Sequence, residues 1–439
     1  MNPEAFFDLA ARLNGGLRGE EILFCSLGGE ASDFVRLNRN AIRQAGHVRT
    51  AGLGLNLIDG ARQAEAVCDF RGSPEQDLDV ARSLLDRLRE RLAFVPEDPY
   101  LNYSRQAGES MHQVGDGLPS TAGMVDALIQ AADGLDLVGI CASGDIVEGL
   151  ASSLGHRYWH QSSSFNLDWS CYLGADKAVK SGYSGFAWEP EVLGAKLAEM
   201  RAALDVMARP AKVIEPGRYR AYLAPAAVQE LMDMLAWGGF GLKDHRTSQT
   251  PLLKLIRGER TFASALTIQE QHDRGLTPGF TPEGFLKPGC VPLINAGAFG
   301  QALVDARSGK EYGEVVNAAA DAPESLNVAA GTLSMADAHR QLDTGLSIGN
   351  LWYCNWSDMN ECRITGMTRF GTFWVEGGEI VAPLDVMRFD DSLYHLLGDR
   401  LEALTREREL MLSAETYDGR SSASALLPGV LVSGIDFAL

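Results

Sequence analysis

The sequence predicts an α+β protein: N-terminal α/β segments with antiparallel sheets, followed by a large, mostly β C-terminal domain. Three observations lead there. Residues Leu78, Ala81, Leu84, Leu85, Leu88 and Leu92 fall on one helical face, with Arg and Asp between them. From Ala211 onward the texture changes to short β runs separated by Gly and Pro. Within that region Thr372–Glu376 and Glu379–Pro383 flank Gly377-Gly378, and two consecutive Gly supply the positive φ that a tight hairpin turn needs.

At 439 residues the chain exceeds one ordinary core, so two or three domains are expected. The boundaries predicted are 1–100 and 115–210 for two α/β domains and 211–439 for the β-rich domain. An amphipathic helix opens the first, short strands follow at 21–26, 33–37, 47–58 and 64–70, and the periodic helix spans 74–92. Residues 95–120, rich in Pro, Asp, Gly and Asn, read as a linker or exposed loop. A helix at 121–132, a buried strand at 135–142 ending in a Gly-containing turn, two antiparallel strands at 158–174 and 178–188, and a helix at 190–209 with Pro in its first turn complete the second. In the third, strand 217–223 introduces one clear helix at 225–237, and further strands are expected at 266–268 and 288–295.

Composition excludes several classes of function. The 46% hydrophobic content suits folded domains, and no apolar run reaches the roughly 18 residues of a membrane helix. The N-terminus lacks the charged and apolar regions of a signal peptide, so a cytoplasmic location is expected. Seven scattered Cys without a CxxC pair form neither a disulfide framework nor a zinc ribbon, and read as buried thiols. A net charge of −19 argues against nucleic acid, which needs clustered Lys and Arg, and predicts solubility.

Chemical motifs fail on inspection. His156 and His160 lie on an alternating strand, where residues four apart are roughly 13 Å apart, too far for one ion. His245 and His272, with Asp244, Glu270 and Asp273 nearby, flank a loop and read as solvated residues, the alternative being convergence on one metal. Asp343-Thr344-Gly345 copies one half of an aspartic-protease dyad and reads as a turn. Gly182–Phe186 misses the nucleophile elbow at Phe186, and Ser308–Glu311 lacks the flanking residues of a phosphate-binding loop. The remaining candidates are polar groups in the aromatic segment 350–394: Asn350, Asn355, Arg363, Thr368, Arg369 and Glu376. Arg guanidinium forks onto carboxylates and carbonyls, and Trp352, Trp356 and Trp374 can flank an extended chain. Equally, such aromatics fill cores, and an Arg beside them pairs with Glu376, Asp358 or Asp390 to close the sheet.

The run Gly366-Met367-Thr368-Arg369-Phe370-Gly371-Thr372-Phe373-Trp374-Val375-Glu376-Gly377-Gly378-Glu379-Ile380-Val381 resembles the GxxxRxxxGFWVENGEI-like hairpin of the TldD/PmbA family. The order of elements extends that resemblance over nearly the whole chain, most strongly after Pro216. Catalytic, TldD-type members carry His-Glu-x-x-x-His on the helix matching 225–237; this sequence has Leu231, Met232, Met234, Leu235 and Trp237 there, and no His-Glu pair anywhere. The resemblance therefore implies the TldE or PmbA branch: a non-catalytic subunit, without metal or other cofactor of its own, paired with a TldD-type homologue that holds a divalent metal, zinc being expected. Peptides or propeptides are the implied substrates, and the six polar residues the implied peptide contacts. Cys362 matches a TldD metal-ligand position but lacks the helical His partners, so Cys354 and Cys362 read as structural thiols. Some members of the family are labelled modulators of DNA gyrase; the acidic charge gives no support for DNA contact. The alternative reading is a homodimeric peptide-binding or scaffold protein without peptidase activity.

Overall fold

The computed structural model describes residues 1–439 apart from Asp116, Ala175, Asp176, Gly275, Asp418 and Leu439. Its first half is built on one seven-stranded sheet: β1 (Ile22–Asn38), β2 (Ala41–Asp59), β3 (Arg62–Asp69), β4 (Gly108–Val114), β5 (Asp136–Ser152), β6 (His156–Leu173) and β7 (Lys177–Gly185). The order is β3-β2-β1-β5-β6-β4, with β7 added to β6, and every pairing is antiparallel except β4 with β6.

Strand β1 alternates because one face is covered by helices α1 (Pro3–Asn14) and α2 (Pro74–Leu92). Leu23, Cys25 and Leu27 meet Phe6, Phe7, Leu9 and Leu13 of α1 and the predicted apolar face of α2 in one core. Asp77 ties the start of α2 to the segment before it, its buried carboxylate accepting the Ser73 and Arg71 backbone N–H groups at 2.8 and 3.1 Å. On the far side, α3 (Thr121–Ala131) and α4 (Pro190–Met207) pack on Cys141, Leu167, Trp169 and Cys171.

Two expectations change here. Residues 108–114, read as part of a linker, form β4; the segment has no apolar alternation to mark it, because it is mostly exposed and held by backbone pairing to β6. Strand β5 does not turn after residue 142 but continues to Ser152 through Gly144, whose φ is 143° and where an added Cβ would lie 2.1 Å from the Ala31 carbonyl oxygen of β1. Glycine there permits close approach of two strands. The expected boundary between 1–100 and 115–210 consequently falls inside one sheet, since β1 pairs with β5 from Phe24↔Ser152 to Leu37↔Gly139.

The second half carries an eleven-stranded sheet: β8 (Gly217–Leu223), β9 (Ile268–Gln271), β10 (Cys290–Asn295), β11 (Ala298–Phe299), β12 (Ser325–Val328), β13 (Gly345–Asp358), β14 (Arg363–Glu376), β15 (Glu379–Pro383), β16 (Arg388–Ser392), β17 (Leu401–Leu412) and β18 (Ser424–Phe437). Strand β8 pairs with both β13 and β18, closing β18-β16-β14-β13-β8 into a circuit. Helix α5 (Pro225–Ala236) lays Ala227, Val228, Leu231, Met232 and Leu235 on the resulting core with Leu223, Leu346 and Ile348. The hairpin forms as predicted, with Glu376 opposite Glu379 and Gly377 and Gly378 at φ 59° and 83°. Asp343, the Asp of the Asp-Thr-Gly triplet, sits in a turn at φ 58°, its carbonyl accepting the Gly378 N–H at 2.8 Å. No helix is long and apolar enough to cross a membrane among the described residues.

The two sheets are locked together. Phe373 of β14 enters the core of α4 and β7; Asn166 Nδ2 donates to the Leu412 and Ser413 carbonyls at 3.2 Å; Arg420 donates to Ser164 and Gly144 of the N-terminal sheet.

Candidate functional site

Strand β7 runs along this seam and has a polar depression at each end. At one end, a groove of about 260 Å³ lies under α5, lined by Gln229, Glu230, Asn350, Asp168, Lys180 and Glu409 among others. Its geometry follows from the helix period: with Ala227, Val228, Leu231, Met232 and Leu235 turned to the core, Gln229, Glu230 and Asp233 are left on the opposite side. At the other end, a cavity of about 560 Å³ is lined by Lys177, Tyr172, Thr368, Arg369, Phe370 and Asp385 among others.

The backbone between these depressions is irregular. The β13–β14 ladder slips register between Ile348 and Asn350 and again between Trp352 and Asn355. Tyr353 and Phe370 hold positive φ of 58° and 53°, followed by Gly371 at 99°. Non-glycine residues in that region are uncommon, and bulges re-aim side chains beside binding sites.

The charges in the α5 groove are unequal. Lys180 pairs with Asp168 at 3.0 Å and Lys196 with Glu409 at 2.8 Å, which uses both ammonium groups. Glu230 is pushed above its ordinary range by burial and then by the Asp233 charge, with Lys180 opposing. Asp233 reaches solvent, yet protein crowds it on its remaining sides and pushes it up to about 6. The two acids extend to Cys354, whose thiol is raised to about 12 by burial and by both carboxylates, leaving it protonated and unreactive. Cys362 is fully buried, and burial raises it as well.

These residues do not suit a peptidase metal centre. Helix α5 offers two carboxylates at i and i+3 and no imidazole. Among the described residues, one group of three donors stands within ligand reach of one another, Glu270, His272 and Glu324, and none of the three lines the α5 groove. His245 does not join His272: its Nε2 meets the Gly239 carbonyl at 2.7 Å and its ring packs edge-on to Phe299. His156 and His160 likewise keep separate company, the first against Ser152 and Phe24, the second stacked on His112.

The six candidate residues do not converge on one site. Asn350 lines the α5 groove, while Thr368 and Arg369 line the cavity at the other end of β7. Arg369 lies over the Trp352 ring at 3.9 Å. Arg363 is committed to Asp390 through its Nε and, at 3.0 Å, to the Asp390 carbonyl, so it closes the sheet. Thr368, fully buried, accepts the Met387 N–H at 3.1 Å through its hydroxyl. Asn355 is exposed and accepts the Trp356 N–H at 2.8 Å, and Glu376 is held by Lys212 and by Trp374 Nε1, both at 2.6 Å. Glu230 and Asp233 were missed, although their i, i+3 spacing on the polar side of a periodic helix was readable.

The PmbA/TldA metallopeptidase C-terminal domain pattern matches residues 216–439, from the start of β8 through α5 and the groove to the end of the chain. The chain belongs to the TldD/PmbA family. Solved structures share the whole fold. TldE from Thermococcus kodakarensis is 14% identical, with a TM-score of 0.76, over 99% of this chain and 100% of that one. A candidate modulator of a DNA gyrase from Thermotoga maritima is 15% identical, with a TM-score of 0.75, over 99% of both chains. Another from Bacteroides thetaiotaomicron is 14% identical, with a TM-score of 0.76, over 99% of this chain and 98% of that one. At such identities the TldD/PmbA fold is what these structures share with the chain. No curated protein sequence matches it significantly.

Proposed function

We propose that this chain is a TldE-like, non-catalytic subunit of a cytoplasmic, heteromeric TldD/TldE metallopeptidase acting on unfolded peptides or propeptides. The observation that supports this reading is helix α5, which carries Gln229 and Glu230 over its groove, with Asp233 one turn further on, where the catalytic branch carries His-Glu-x-x-x-His. The divalent metal, zinc by expectation, belongs to a TldD-type partner. This chain supplies a wall for an extended peptide. Asn350 presents an amide to the peptide backbone, the α5 carboxylates favour basic or amino groups, and Arg369 at the other end of β7 favours carboxylate and carbonyl groups.

The test is co-expression with the TldD-type homologue of the same organism, followed by co-purification and hydrolysis of an unfolded, fluorescently labelled polypeptide. Cleavage that requires both chains, and stops when the homologue loses its His-Glu-x-x-x-His residues, supports the proposal. A stable self-dimer that never associates with the homologue and yields no cleavage would replace it with the homodimeric binding-protein reading. Cleavage by this chain alone would end both.

A further inference from the structure

A second polar cluster lies where β9 and the residue preceding β12 meet the loop before β10. Glu270 and His272 are 1% and 5% exposed, and Glu324 is partly buried. His272 Nδ1 faces the Pro288 carbonyl at 2.8 Å, and a carbonyl can only accept, so Nδ1 carries a proton. In a neutral ring Nε2 is then bare. It faces Glu270 Oε1 at 3.0 Å and has no hydrogen-bond partner among the described residues. Glu270 is arranged as an anion, its oxygens accepting the backbone N–H groups of Glu324 at 3.1 Å and Ser325 at 2.8 and 3.0 Å. Two lone pairs therefore meet in a dry site, which is costly unless a positive charge joins them.

We infer that Glu270, His272 and Glu324 form a site for one divalent cation of the zinc class, bound by His272 Nε2 and a carboxylate oxygen from each Glu. The candidate ligand atoms lie within 4.8 Å of one another. The 3.0 Å between His272 and Glu270 is near the edge of a tetrahedron with metal bonds of about 2.0–2.1 Å, roughly 3.3 Å. Imidazole with carboxylate suits zinc and its transition-metal neighbours rather than calcium or magnesium. The Pro288 carbonyl on Nδ1 and the backbone N–H groups on Glu270 hold both ligands in place, as outer hydrogen bonds do at metal sites. A cavity of about 490 Å³ with Glu324, Glu148 and Phe280 on its walls adjoins the Glu324 side of the site.

The local charge agrees. Glu148, Glu270 and Glu324 are set against one buried ammonium, Lys287, which donates to Glu324 Oε2 at 2.6 Å. A divalent ion brings the set to neutrality when all three acids are ionised, and Lys287 competes with it for Glu324. The ion would pin β9, the edge of β12 and the loop before β10, none of which lines the α5 groove. This inference stands whether or not the subunit proposal does. The rival state is a doubly protonated His272 paired with Glu270 and no ion.

The experiment is calorimetric titration of the chelator-stripped, full-length chain with zinc chloride, alongside H272Q, E270Q and K287M, with circular dichroism to confirm folding. One zinc per wild-type chain, weakened at least about 100-fold in H272Q and E270Q, is expected. K287M, which removes the competing ammonium, is expected to bind about 10-fold more tightly. Absence of a saturable one-per-chain site, or equal affinity in wild type and H272Q, would overturn the inference. Should H272Q or E270Q not fold, K287M decides: tighter binding supports the site, and unchanged or weaker binding removes it.

Discussion

On α5 the Asp233 charge adds to the burial that lifts the Glu230 carboxyl above its ordinary range, and the nearby ammonium groups of Lys180 and Lys196 are already paired with Asp168 and Glu409. A carboxylate whose proton is held more tightly in the fold stabilises the folded state below its unfolded value, near pH 4. That contribution is lost as pH rises through the folded value, here about 6 for Asp233. We predict that D233N flattens the fall in stability between about pH 4 and 6. Because Asp233 reaches solvent, the gain at pH 7.5 should be only about 1 kcal/mol or less, read from urea unfolding.

Glu148 presents the same sign in a drier place. Burial, with Glu324 adding and Lys287 opposing, pushes its carboxyl up to about 7. Stability from this group is therefore full at pH 4 and disappears as pH rises through 7. We predict that E148Q is more stable than wild type at pH 8 by about 1–3 kcal/mol and no more stable at pH 4. Paired unfolding curves at the two pH values would show it, and an equal difference at both would contradict it.

Gly144 is predicted to tolerate no side chain. Alanine there meets the Ala31 carbonyl oxygen at 2.1 Å with φ at 143°, so G144A should cost about 2–4 kcal/mol by parting β1 from β5. Thermal unfolding reads this directly. A loss under half a kilocalorie would show that the strands can separate cheaply.

Three neighbouring residues on β14 should separate by role. R363A breaks the pairing with Asp390 and T368V leaves the Met387 N–H without its partner, so each should lower stability by about 1–2 kcal/mol. R369A loses its contacts over the Trp352 and Phe370 rings, worth about 0.5–1 kcal/mol each. If the peptide wall is as proposed, R369A should instead reduce cleavage by the assembled two-chain peptidase, chiefly by raising KM. Unchanged KM in R369A would take Arg369 off that wall.

What the sequence disclosed was what neighbours along the chain could encode. Helices α2, α4 and α5 and the Gly377-Gly378 hairpin announce themselves through spacing, Pro at the start and Gly at the turn. Strand β4 does not, because its pattern lacks an apolar face, and the Gly144 position in β5 imitates a turn when its glycine serves strand contact. The site was legible only in fragments. Asn350 and Arg369 were found because they are polar groups within the aromatic segment 350–394, but which depression each joins depends on bulges that no local pattern marks. His272 was seen beside Glu270, yet its third neighbour, Glu324, is 52 residues further on and is delivered by strand pairing of β12 with β9.

Strand β18 pairs with β8, β12, β16 and β17, and it closes the circuit that begins at β8. During synthesis every one of those partners leaves the ribosome before it does. The second half must therefore wait, with the β8 and β12 edges open, until β18 arrives, whereas the seven-stranded sheet has all its members as soon as β7 is made. Such a chain completes its first half early and holds its second half unfinished until β18 is made, which makes that interval the time when chaperones, or a partner chain offering a matching strand, have most to act upon.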